Sequence, residues 1–274
     1  MFRCCQAEKD IIIVPFRHLL RLIAIVLSVT LLSACPSAED ARAPVATELV
    51  PSVAAQKDRV LVIVLPGRGD DIARLRKSGI ADSIQKVWPQ ADVLLTGVSM
   101  AYYFQGRMPE RLHDEVVLPA RARGYREVWL AGASLGGMGT VLYDRRYPGE
   151  MDGLVLLAPY LGEHALIDQI TAAGGLGPWQ PGPMPAAINA ENAQREIWRH
   201  LKSWNEPSGR GRRVWLAYGD SDRLKAALPL LSPLLPDGHV LVRPGGHGWV
   251  VWTPAAGEIF RRIHEDEAAA DHAK

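Results

Sequence analysis

At 274 residues, with 31 basic and 30 acidic side chains and a formal net charge of +1, the chain is long enough to bury the core of one α/β domain and does not call for a second. Charges so evenly matched, with no long basic run, exclude the electrostatic footprint of a nucleic-acid-binding surface.

The first predicted element is N-terminal. Arg3, Lys9, Arg17 and Arg21 precede an apolar stretch from Leu22 to Leu32, and the small residues Ser33 and Ala34 follow before Cys35. This layout predicts a secretory signal over residues 1–34. The apolar run falls well short of the roughly 20 residues that cross a bilayer as a helix. Leu32-Ser33-Ala34-Cys35 resembles the lipobox of bacterial lipoproteins. That resemblance implies cleavage before Cys35, a lipid on that cysteine, and a membrane anchor in the cell envelope. With Pro36 next rather than an aspartate, it further implies the outer membrane, facing the periplasm. An ordinary signal peptide with an incidental cysteine at its end is the alternative. Cleavage there removes Cys4 and Cys5 and leaves no cysteine pair for a disulfide.

Residues 35–58 are rich in Ala, Pro, Ser and Glu without periodicity, which predicts a flexible tether. The folded domain is expected over 59–268, with a short tail at 269–274. Apolar, β-branched runs at Val60–Leu65, Val93–Val98, Val128–Ala131, Leu154–Ala158, Val214–Tyr218 and His239–Val242 read as buried parallel strands. Between them, Ile72–Val87, Pro109–Arg123, Gly136–Tyr147, Ala190–Trp204, Arg223–Leu235 and Pro254–Glu267 read as helices. Strand and helix alternate, so the fold class is α/β: a mostly parallel sheet of about six strands with helices on both faces. The long interruption at about 160–212, Gly- and Pro-rich over Gly174–Pro185, predicts a cap or lid insertion.

Gly132-Ala133-Ser134-Leu135-Gly136 fits G-x-S-x-G between a predicted strand and a predicted helix. Small residues at 132 and 136 let a sharp turn pack closely and expose the Ser134 hydroxyl. Beyond a later strand lies Tyr218-Gly219-Asp220-Ser221-Asp222, which puts a carboxylate at the sheet's carboxyl edge. After the next comes Gly245-Gly246-His247-Gly248-Trp249, which offers an imidazole base in a pliable loop. The chain order Ser, acid, His differs from that of chymotrypsin-like and subtilisin-like enzymes.

Together GASLGGMG, YGDSD and GGHGW resemble the α/β-hydrolase superfamily from Val60 to the last helix. The resemblance implies an α/β-hydrolase fold and a serine hydrolase acting on a carboxylic ester or related acyl bond. In that reading Ser134 attacks the acyl carbon, His247 moves the proton and Asp222 orients His247, with Asp220 as the alternative acid. Backbone N–H groups of Leu135 and Arg68 would form the oxyanion hole. The Arg68 loop, Leu65-Pro66-Gly67-Arg68-Gly69-Asp70, departs from the family's His-Gly pattern at Pro66, so Gly67 and Gly69 stay open as donors. Asp70 is expected to cap the following helix.

Met100, Tyr102, Tyr103, Phe104, Tyr160 and Leu161 could build an apolar acyl pocket or pack the lid. Trp179, Trp198 and Trp204 suit a packed cap better than a membrane-facing one. His113, His164 and His200 follow no predicted strand and read as packed or solvated side chains. No metal set and no nucleotide fingerprint is present, so no cofactor is expected. The small-molecule acyl substrate and the oligomeric state are not specified by these motifs. Acyl transfer, thioester or peptide cleavage would use the same triad, and a non-catalytic envelope binding module is the rival from another class.

Overall fold

The computed structural model describes residues 42–55, 59–186, 188, 191–205 and 209–272. The predicted signal segment, Cys35 and the first part of the tether lie outside the described residues. Among the described residues no helix is long and apolar enough to cross a membrane.

Seven strands form one sheet: β1 Thr47–Val50, β2 Val60–Leu65, β3 Ala91–Thr96, β4 Glu127–Ala133, β5 Gly153–Leu157, β6 Val214–Gly219 and β7 Val240–Arg243. Their spatial order is β1-β3-β2-β4-β5-β6-β7. All neighbours pair in parallel except β1, which runs antiparallel to β3 with Thr47 opposite Thr96. Every residue of β2, β5 and β6 is buried, because a parallel strand covered on both faces has no solvent side on which to place polar residues.

The helices are α1 Ile72–Ser78, α2 Ile80–Gln85, α3 Met100–Phe104, α4 Met108–Leu112, α5 Leu118–Ala122, α6 Leu135–Arg146, α7 His164–Ala172, α8 Ala193–Ser203 and α9 Trp249–His272. α9 packs with α1 and α2 and lies along β5, β6 and β7, while α6 packs with α4 and α8 and lies along β2, β4 and β5. The chain winds outward from β2 to β3 and then back past β2 to β4, so its direction reverses between β2 and β4. At such a switch point the loops leaving adjacent carboxyl ends diverge and open a crevice for a ligand. Here those loops are Pro66–Asp70 and the turn at Ser134.

Several expectations are corrected. The tether holds a strand: β1 adds a seventh, and its half-exposed, alternating Thr-Glu-Leu-Val is too short and too polar on one side to stand out from the Ala- and Pro-rich context. The expected helix Ile72–Val87 is divided by Gly79, which adopts φ 71° and ends α1. Pro109–Arg123 is helical but passes through a π-helical turn at His113–Val117 between α4 and α5. Arg223–Leu235 is not an α-helix. It forms turns and a 3₁₀ segment, Leu228–Leu234, because Pro229 and Pro233 each withhold the N–H that an α-helical bond needs. α9 starts at Trp249 rather than Pro254, its first turn closed by the N–H groups of Val251 and Trp252 on the Gly248 carbonyl. It runs to His272, absorbing most of the expected tail.

The stretch between β5 and β6 contains α7 and α8. Trp179, Trp198 and Trp204 are 2%, 0% and 2% exposed, so all three serve the core rather than an apolar outer face.

Candidate active site

β4 runs straight into α6 through a single residue, Ser134, held at φ 53°, ψ −111°. A side chain at positive φ is strained, and the neighbouring backbone holds it there: the Ser134 N–H donates to the Leu157 carbonyl, and the Tyr160 N–H donates to the Ser134 carbonyl, each at 2.9 Å. The glycines of the motif make the approach possible. A Cβ on Gly136 would sit 2.5 Å from the Leu65 carbonyl oxygen, one on Gly137 2.7 Å from Pro159, and one on Gly132 would run into the Gly136 carbonyl.

The loops after β6 and β7 cross this turn. His247 Nε2 is 2.8 Å from Ser134 Oγ, and His247 Nδ1 is 2.8 Å and 2.9 Å from Asp222 Oδ2 and Oδ1. A carboxylate can only accept, so Nδ1 carries the proton and donates, and Nε2 is left to accept from the serine hydroxyl. Asp222 is 2% exposed; one oxygen also accepts the Leu224 N–H at 2.8 Å, which fixes the carboxylate against rotation. The His247 ring is held from the side by Trp252, edge to face at 4.7 Å between centroids.

Asp220, the alternative acid, is solvent-exposed and faces away from this pair. It accepts the Gly245 N–H at 3.1 Å and the Ser221 hydroxyl at 2.9 Å; the Gly245 N–H, then the Ser221 hydroxyl, hold its carboxyl below the usual range. It braces the His247 loop. Two of the other histidines lie away from it: His113 stacks on Tyr147 and meets the Tyr143 hydroxyl at 2.9 Å, and His200 faces the buried Asp144 at 2.9 Å.

No protein-family model and no curated protein matches the chain. Among solved structures, Est1E of Butyrivibrio proteoclasticus superposes with a TM-score of 0.56 at 16% identity, over 82% of this chain and 95% of its own. The S-formylglutathione hydrolase of Staphylococcus aureus gives 0.52 at 16% identity over 77% and 83%. The fluorophosphonate-binding serine hydrolase F of the same organism gives 0.51 at 13% identity over 81% and 99%. The fold is that of the α/β-hydrolases.

A cavity of about 690 Å³ opens over Ser134 and His247. Arg68 and Leu135, the expected oxyanion donors, both line it. Leu135 is the first residue of α6, so its N–H has no partner within the helix. The Arg68 N–H likewise has no hydrogen-bond partner among the described residues. Of the residues expected to form an acyl pocket, Met100, Phe104 and Tyr160 line the cavity. The rest do not: the Tyr102 hydroxyl donates to Ala43, that of Tyr103 to the Leu135 carbonyl, and Leu161 is buried, its carbonyl accepting from Trp198. Burial, and then a 2.6 Å hydrogen bond to Glu163, push the Tyr160 hydroxyl up to about 12, so it remains a donor at the cavity wall.

One participant was not read from sequence. The helix cap expected of Asp70 belongs to Asp71, whose side chain accepts the Arg74 N–H. Asp70 instead accepts the indole N–H of Trp249 at 2.9 Å, and its carboxylate sits 3.0 Å from where a Gly67 Cβ would be. The bond ties the loop bearing Arg68 to the start of α9, two residues beyond His247. No short motif signals it, since the partners are 179 residues apart. Asp70→Ala is expected to lower kcat by about 10- to 100-fold through misplacement of that loop. Trp249→Phe should act in the same direction, and the double variant should cost little more than either alone. Additive losses in steady-state kcat would show that the two side chains act separately.

Proposed function

We propose that the chain is a serine hydrolase that cleaves a carboxylic ester, or a closely related acyl bond, through an acyl-enzyme. The observation that carries this reading is the hydrogen-bonded series Ser134–His247–Asp222, with contacts of 2.8–2.9 Å, at the mouth of the switch-point cavity. At 13–16% identity to the structures above, the likeness carries the fold, and the activity rests on this geometry.

His247 accepts the Ser134 proton as Oγ attacks the acyl carbon, and Asp222 stabilises the imidazolium that results. The N–H groups of Leu135 and Arg68 receive the developing oxyanion, where fixed dipoles are worth more than mobile water. His247 then gives the proton to the leaving alcohol, and a water activated by the same imidazole releases the acid. Transfer to another acceptor would use the same residues, and in this reading water is the acceptor. The segment ending in Leu32-Ser33-Ala34-Cys35 supports export and a lipid anchor on Cys35 in the envelope, at the outer membrane facing the periplasm.

The test is intact-mass analysis after treatment with a fluorophosphonate. One adduct on the wild-type protein and none on Ser134→Ala is the expected result. A folded wild-type protein that takes no adduct would favour a binding module over an enzyme.

A further inference from the structure

The cavity over Ser134 is lined by three arginines from two separate stretches of the chain. Arg68 and Arg74 come from the segment after β2, and Arg223 from the segment after β6. Two carboxylates share the same lining, Asp70 and Glu163, and both are engaged. Asp70 accepts the Trp249 indole N–H and faces Arg74 at 3.7 Å; Glu163 accepts the Tyr160 hydroxyl. Asp222 lies behind His247 and is spent on it. Arg68 and Arg223 have neither an ion pair nor a side-chain hydrogen bond among the described residues, and both are exposed. Two guanidinium groups without an ion-pair partner among the described residues therefore flank a concave site whose lining holds three arginines against two carboxylates.

A concave, partly apolar wall focuses the field of such charges and raises the local concentration of an anion. The planar guanidinium group pairs two N–H donors with two oxygens of a carboxylate or a phosphate. The remaining walls, Met100, Phe104 and Leu224 among them, suit a short apolar body. We infer that the ester cleaved at Ser134 carries an oxyanion, a carboxylate or phosphate, in its acyl or alcohol part, and that Arg68 and Arg223 receive it. The inference rests on the hydrolase reading of Ser134. Arg68 thereby has two tasks on one residue: its N–H serves the oxyanion hole and its guanidinium the substrate's permanent charge.

Two matched pairs of esters test it on the full chain. The first compares 4-nitrophenyl hydrogen glutarate with 4-nitrophenyl pentanoate, placing the charge on the acyl side. The second compares 4-carboxyphenyl acetate with its methyl ester, placing it on the alcohol side. The expected result is at least tenfold higher kcat/KM for the anionic member of one pair at low ionic strength, carried by KM. That ratio should fall severalfold in 0.5 M sodium chloride, as screening requires. Arg223→Gln should cut the ratio at least fivefold, and Arg223→Lys should restore part of it. Neutral members hydrolysed as well as or better than the anionic ones in both pairs would overturn the inference and leave the hydrolase intact. So would an anionic preference that Arg223→Gln does not move. No hydrolysis together with no fluorophosphonate adduct on Ser134 would overturn both.

Discussion

Asp222→Asn is expected to lower kcat by about 10⁴-fold in a protein that still folds. The amide preserves shape but can present an N–H toward Nδ1, which favours the tautomer with its proton on Nε2, where it blocks acceptance from Ser134. It also removes the charge that stabilises the imidazolium. Asp220→Asn is expected to stay within about tenfold of wild type, since that carboxylate holds the Gly245 N–H and touches neither His247 nor Ser134. Steady-state kinetics on any ester the protein turns over decides between them; the larger loss at Asp220 would reverse the assignment. Combining Asp222→Asn with Ser134→Ala should cost no more than Ser134→Ala alone, because groups acting as a unit are not additive.

The second large effect is on folding. Gly132→Ala would place a methyl group against the Gly136 backbone and 2.5 Å from the Thr140 hydroxyl, in a turn whose neighbours are strands and a helix that cannot withdraw. A loss of about 3–5 kcal/mol is expected, from overpacking and added strain at Ser134. Thermal unfolding should show a fall in Tm of about 10 °C or more. Gly177→Ala is the control: nothing lies within 4 Å of its added Cβ, and Tm should hardly move. Equal stability of the two variants would mean that the turn is far more compliant than its contacts imply.

Legibility from sequence followed burial. β2, β4, β5 and β6 were readable because a strand enclosed by helices is apolar at nearly every position. β1 was not, because its register on β3 leaves Leu49 46% exposed and its four residues carry no alternation long enough to notice. The leucine spacing of Arg223–Leu235 suggested a helix that Pro229 and Pro233 forbid, so turn chemistry outweighed periodicity there. In the site, Ser134, Asp222 and His247 were legible since each sits where a strand ends, next to the glycines its turn requires. Asp70 was misread as a helix cap because local capping is a near-neighbour rule, while its bond to Trp249 exists only after the first and last thirds of the chain meet. The free arginines were equally hidden: a sequence shows where a charge is, not whether a partner has claimed it.

The two rims of the sheet carry a consequence of another kind. An exposed strand edge is a template on which a neighbouring molecule can add its own strand. Here both outer strands, β1 and β7, are only four residues long, each is followed at once by a proline, Pro51 and Pro244, and each bears a charge, Glu48 and Arg243. A second copy is offered at most a few backbone groups before a residue that cannot donate. Crowding many copies together should therefore bring them into contact through side chains, without the strand-by-strand growth that ends in fibrils.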